Sequence, residues 1–206
     1  DMQNDFIDGN FAVAGSPGSF CKDVLSYIAT QRLCKKVQFV VSRDYHPKNH
    51  CSFFEQKGPF PEHCVQGTDG AALQDKVLAE LLKIPDAQLH VTFKGWHPRC
   101  DSFGNHAYHA TSGRPIAHNT EGNEYTGAWV LTQGGPKTHL TFKGPATADN
   151  LKPFQLPEDV TDFRVLGLAG NFCVQDTAIN LKQEVGTTRT VTVLNQLTRY
   201  VDTSAP

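Results

Sequence analysis

Three groups of reactive side chains stand out by type and spacing: Cys173 behind a short apolar run, Asp1 and Lys94 beside expected strand ends, and Asp44 and His46 in one turn, with His63 17 residues further on. A cysteine that opens a helix is biased toward thiolate, and backbone N–H groups of the same turn can hold an oxyanion. Such a nucleophile needs a cation nearby and a proton carrier, and Lys94 and Asp1 offer both. Asp44 and His46, two apart on a turn, can grip one divalent ion from the same side, and His63 completes a set with open positions for water or substrate. His50 and Glu55 lie close enough in sequence to compete as ligands. Each group also has a plainer reading. Buried cysteine often only fills space, strand-end Asp and Lys often serve turns or solvation, and an Asp-x-His pair often makes one structural hydrogen bond.

The elements that must position these residues alternate strand and helix. Ser19 can cap a helix reaching about Leu33, with Val24, Leu25 and Ile28 at helical spacing. Val37-Gln38-Phe39-Val40-Val41 reads as a buried strand, and a Pro/Gly/His-rich loop over 45–70 leads to a helix over 71–82. Further strands are expected over 89–93, 163–168 and 190–194, with a helix over 173–184. Alternation of this kind predicts an α/β fold, a three-layer α/β/α doubly wound parallel sheet. Ligands in such sheets sit outside the carboxyl ends of the strands, which is where Asp1, Asp44, Lys94 and Cys173 fall. Residues 105–140 have weak periodicity and read as an insertion or lid within a single domain over 1–206. The polar start, Asp1-Met2-Gln3-Asn4-Asp5-Phe6, normally follows a strand, so a first strand is expected to be missing from the chain.

Composition narrows the function classes. The 206 residues carry a formal net charge of −2, which leaves no electrostatic footprint for nucleic acid. No apolar run approaches the roughly 20 residues of a membrane span, and the expected compartment is the cytoplasm. Six cysteines in a chain of this length are expected as free thiols rather than a disulfide scaffold.

Five blocks then carry a resemblance. They are Asp1-Met2-Gln3-Asn4-Asp5-Phe6; Ser42-Arg43-Asp44-Tyr45-His46-Pro47-Lys48-Asn49-His50; Phe60-Pro61-Glu62-His63-Cys64-Val65-Gln66-Gly67-Thr68; Lys94-Gly95 with Asp101-Ser102-Phe103; and Gly167-Leu168-Ala169-Gly170-Asn171-Phe172-Cys173-Val174. In this order they resemble the nicotinamidases and pyrazinamidases of the isochorismatase-like cysteine hydrolases. The resemblance implies a triad of Asp1, Lys94 and Cys173, metal ligands Asp44, His46 and His63, and an oxyanion hole from the backbone N–H groups of Ala169 and Cys173. It also implies a non-proline cis peptide between Leu168 and Ala169, and aromatic walls from Phe6, Phe60 and Phe103. Phe60 stands where that family usually has Trp, and Asn105-His106 departs from its usual continuation. Lys143-Gly144 echoes Lys94-Gly95, but only Lys94 is followed by Asp101-Ser102-Phe103.

The implied activity is metal-dependent hydrolysis of nicotinamide to nicotinate and ammonia through a thioester, within NAD salvage. The implied cofactor is one divalent ion, zinc first, with iron or manganese as alternatives. Nicotinamide is the expected partner, without nucleic acid or membrane, and a homo-oligomer is left open. Two rivals stand beside this reading: a related amidohydrolase acting on a carbamoyl or ureido compound, and a non-catalytic module in which the same three ligands hold a structural ion.

Overall fold

Hydrogen-bond register, more than any single contact, arranges the reactive residues. The computed structural model describes residues 1–13, 17–108 and 122–201. Strands β1 (Phe39–Asp44) and β2 (Leu89–Lys94) pair in parallel from Phe39 opposite Leu89 to Asp44 opposite Lys94, so both strands deliver their last residue to the same level. Both end beyond the limits that hydropathy suggests, because Ser42, Arg43, Asp44 and Lys94 are polar yet belong to the ladder, while β1 starts at Phe39 rather than Val37.

The sheet is mixed rather than wholly parallel. A short strand β3 (Trp129–Leu131) runs antiparallel to β2, and β4 (Leu151–Pro153) runs antiparallel to β3, in the order β1-β2-β3-β4. A separate parallel pair joins β5 (Asp162–Gly167) to β6 (Thr190–Thr198). The expected α/β character therefore holds, with parallel pairing confined to the strands that approach the reactive residues. Within the segment expected as an insertion or lid lie β3 and a five-residue helix, Pro136–Leu140, while its residues 109–121 fall outside the described residues.

Helices cover the strands where the apolar spacing demands. The first turn of helix, α1 (Asn4–Ile7), buries Phe6 and Ile7. Next, α2 (Pro17–Gln31) buries Phe20, Val24 and Ile28, four apart along one face. It starts before Ser19 because proline fits the first helical turn, where its missing N–H costs nothing. Helix α3 (Asp75–Leu81) buries Val77 and Leu81, and the side chain of Gln74 caps it by accepting from the N–H groups of Lys76 and Val77. The short helix over Pro136–Leu140 is α4, and α5 (Gln175–Val185) follows the reactive cysteine. No described helix is long and apolar enough to cross a membrane.

A buried arginine ties these layers together. Arg43 donates to the carbonyls of His139, Phe142 and Ala71 at 2.9 to 3.0 Å, and its guanidinium lies over the rings of Tyr45 and Phe93. The delocalised charge is thus spread over carbonyl dipoles and aromatic faces rather than matched to a carboxylate.

Candidate active site

Asp1 reaches the ends of both parallel pairs. Ser42 Oγ donates to Asp1 Oδ1 at 2.5 Å, and Gly167, with φ +114°, lies so close that a Cβ there would sit 3.4 Å from the Asp1 nitrogen. Two residues on, Gln3 extends the hydrogen bonding of β1: it donates to the carbonyl of Asp44 at 2.6 Å and accepts from the Asp44 N–H at 2.7 Å. The N-terminal segment is thereby fastened beside Asp44 by an amide that mimics a strand neighbour.

Lys94 lies at the centre, 1% exposed, with its Nζ 3.0 Å from Asp1 Oδ2, 3.0 Å from Asp44 Oδ1 and 3.5 Å from Cys173 Sγ. Burial works against the Lys94 ammonium, but Asp44 and Cys173 outweigh it and hold the group charged, above the usual lysine range. Burial also pushes the Cys173 thiol up, while Lys94 and the backbone N–H of Ala169 pull the other way. Attack by the sulfur therefore draws on Lys94 beside it and on a proton acceptor close by. Lys143, its echo in the sequence, is exposed and pairs with exposed Asp69. Arg43 fastens the chain at Phe142 and leaves the next residue outside.

A turn of unusual shape presents the cysteine. After the cis peptide between Leu168 and Ala169, residues Gly170–Val174 form one wide π-type turn that leads into α5. Cys173 is buried and borders a small cleft whose lining includes Phe6, Phe60, Phe103, Asp44, His46 and His63. Phe11, Phe172 and Asp101 line it too; Asp101 and Phe172 stand in the resembling blocks without an assigned role, and Phe11 lies outside them. Phe172 adjoins Cys173 and could have been noticed, whereas no local signal marks Phe11, whose ring sits 4.9 Å from His63. Phe60, Phe103 and Phe172 meet edge to face with centroids 5.5 to 5.9 Å apart.

The three expected ligands converge. His46 pairs in a parallel bridge with Val65, which brings the far end of the 45–70 loop beside the near end and sets His63 next to His46. Asp44 Oδ2 is 3.0 Å from His46 Nε2 and 3.5 Å from His63 Nε2. The other ring nitrogens donate outward, His46 Nδ1 to the carbonyl of Gly95 and His63 Nδ1 to that of Pro61, both at 2.8 Å. With Nδ1 so engaged, each ring turns its Nε2 toward the same carboxylate oxygen. One carboxylate and two imidazoles thus bring their ligand atoms within 4.8 Å of one another, with the rings fixed by their outward hydrogen bonds, and this donor set fits a divalent ion.

His50 does not join this set. Its ring lies 4.0 Å from that of His46, but its nitrogens face Ser52 Oγ and the carbonyl of Cys100, and it groups instead with His46 and Asp101. Glu55 is exposed in a short 3₁₀ turn and belongs to neither group. All six cysteines are free, as expected. Cys64 directly follows His63. It is fully buried at a left-handed backbone position (φ +48°), and burial with Asp44 and Asp5 close by drives its thiol well above the usual range.

Comparison with known proteins places this geometry. Superposed on the pyrazinamidase of Pyrococcus horikoshii, solved in complex with zinc, 98% of this chain covers 84% of that one, with a TM-score of 0.62 and 22% identity. The chain has the nicotinamidase/pyrazinamidase fold. A protein of L. infantum solved in complex with nicotinate has the same fold, with a TM-score of 0.60 and 23% identity over 99% of this chain and 80% of that one. In sequence, the chain is 36% identical over 120 residues to the nicotinamidase of Acinetobacter baylyi, half of each protein. It spans about half the length of the curated nicotinamidases it matches. No family profile matches it.

Proposed function

We propose that this chain, as a single hydrolase domain, converts nicotinamide to nicotinate and ammonia with Cys173 as nucleophile. The observation that carries the reading is the convergence of Asp1, Lys94 and Cys173 at a cleft walled by phenylalanines and bordered by Asp44, His46 and His63. A flat heteroaromatic ring suits such walls, since Phe6, Phe60 and Phe103 offer faces and edges without competing hydrogen bonds.

In this mechanism Asp1 accepts the thiol proton as the sulfur attacks the carboxamide carbon. Lys94 offsets the negative charge that appears among three buried groups. The backbone N–H groups of Ala169 and Cys173 receive the oxyanion, a contribution of about 3 kcal/mol per donor. Collapse breaks the C–N bond, Asp1 returns its proton to the departing ammonia, and a thioester remains on Cys173. Water then gives a proton to Asp1 and attacks the thioester; release of nicotinate restores the thiol. Asp44, His46 and His63 would hold the divalent ion, zinc first in view of the P. horikoshii relative, with iron or manganese as alternatives. When bound, that ion supplies a Lewis acid for the pyridine nitrogen and so orients the ring. Cytoplasmic NAD salvage is the setting that belongs to this proposal.

Ammonia release from nicotinamide, before and after removal of metal by a chelator and again after zinc is restored, tests the reading. Turnover should vanish with the metal, return with zinc, and be absent from Cys173→Ala throughout. Full activity in metal-free protein, or preference for a ureido compound, would sink it.

A further inference from the structure

The segment that carries Phe103 is bound to α5 by a ladder of polar contacts that the mechanism above does not use. The Tyr108 hydroxyl donates to Asp176 Oδ2 and accepts from the N–H of Gly104 at 3.1 Å. The N–H of Asn105 donates to Thr177 Oγ1 at 2.9 Å, Asn180 Nδ2 donates to the carbonyl of His106 at 3.1 Å, and His106 Nδ1 meets Glu184 at 3.0 Å. Asp176, Asn180 and Glu184 fall four apart, so one face of α5 holds successive residues of the 104–108 segment. The approach is close. A Cβ on Gly104 would come within 2.8 Å of Asn180 Nδ2 and 3.2 Å of the Asp176 backbone.

Asp176 and Tyr108 are both buried, where leucine and phenylalanine would pack at lower desolvation cost. What the polar pair adds is direction, because a hydrogen bond fixes both distance and angle. Asp176 lies one helical turn beyond Cys173, and Gly104 directly follows Phe103. The path from nucleophile to aromatic wall is therefore short: Cys173, Asp176, Tyr108, Gly104, Phe103.

We infer that Tyr108 and Asp176 are positioning residues that hold the Phe103 ring at a set distance from Cys173 and so tune affinity for the aromatic ring of the substrate. The inference rests on the nicotinamidase reading of the cleft. Loss of the Tyr108 hydroxyl frees the wall but leaves the π-type turn and Lys94 in place, so ring binding weakens while the reactivity of the thiol does not.

Steady-state hydrolysis of nicotinamide by the zinc-loaded protein, together with the rate of Cys173 alkylation by iodoacetamide, tests this. Tyr108→Phe is expected to raise KM about tenfold with kcat within about twofold, since uniform binding and not the transition state is affected. Alkylation should proceed at the unsubstituted rate. Asp176→Asn keeps an acceptor for Tyr108 and should preserve KM. Thr177→Val removes only the acceptor for Asn105 and should raise KM by about threefold, which keeps a readout if Tyr108→Phe fails to fold. An unchanged KM in Tyr108→Phe, or a parallel fall of kcat and alkylation rate, overturns the inference while nicotinamidase activity stands. Absence of turnover by the unsubstituted protein fails the nicotinamidase reading and this inference with it.

Discussion

Replacing Lys94 by methionine is the most searching perturbation, because it removes one charge and keeps the stem. Lys94 Nζ is 3.0 Å from two carboxylates and 3.5 Å from the Cys173 sulfur, all buried. At an effective dielectric of about 20, each carboxylate contact is on the order of 5 kcal/mol before desolvation is subtracted. Stripping one partner from a buried ion pair typically costs about 3–5 kcal/mol, since the remaining charges keep their desolvation penalty. Turnover suffers separately. Without the ammonium, the thiolate formed beside Asp1 and Asp44 has no counter-charge, and a loss of about 4 kcal/mol in the transition state lowers the rate roughly a thousandfold. Lys143→Ala is the control, because Lys143 and its partner Asp69 are both open to solvent, and exposed pairs contribute little. Ammonia release measured at a temperature where circular dichroism shows both variants folded, with urea unfolding alongside, reads both effects. Retention of activity by Lys94→Met with loss in Lys143→Ala would refute the reasoning.

Two further predictions follow from the same contacts. Gly95→Ala should lower zinc affinity at least about tenfold, because its Cβ would lie 2.5 Å from His46 Cε1 at a backbone φ of +61°; calorimetric zinc titration measures this, and unchanged affinity would contradict it. Burial and the neighbouring Asp176 push the Tyr108 hydroxyl well above the ordinary tyrosine range. A pKa raised on folding gives stability that is present below the unfolded value of about 10 and lost as pH rises beyond it, at up to about 1.4 kcal/mol per pH unit. Urea midpoints of the unsubstituted protein should therefore fall more steeply between pH 9 and 11 than those of Tyr108→Phe, and equal slopes would count against that assignment.

Much of the fold was legible because its signals are local. The four-residue spacing of Phe20, Val24 and Ile28 marks a helix in any context, and the run ending at Leu168 followed by Ala169-Gly170-Asn171 marks a strand that turns into one. The order of Asp1, Asp44, His46, His63, Lys94 and Cys173 was likewise enough to nominate a site, since strand ends in an α/β sheet gather on one side. Tertiary structure alone decided which of these groups meet. Register sets Asp44 opposite Lys94, the lysine that Asp101-Ser102-Phe103 already favoured over Lys143, and closure of the 45–70 loop at Val65 brings His63 to Asp44 while His50 turns to Ser52 and Cys100. Antiparallel β3 and β4, the Phe11 wall, buried Arg43 and the link from Tyr108 to Asp176 were equally invisible. Each depends on partners about 20 to 100 residues apart, and side-chain periodicity reports which face of an element is buried, not which residue lies across from it.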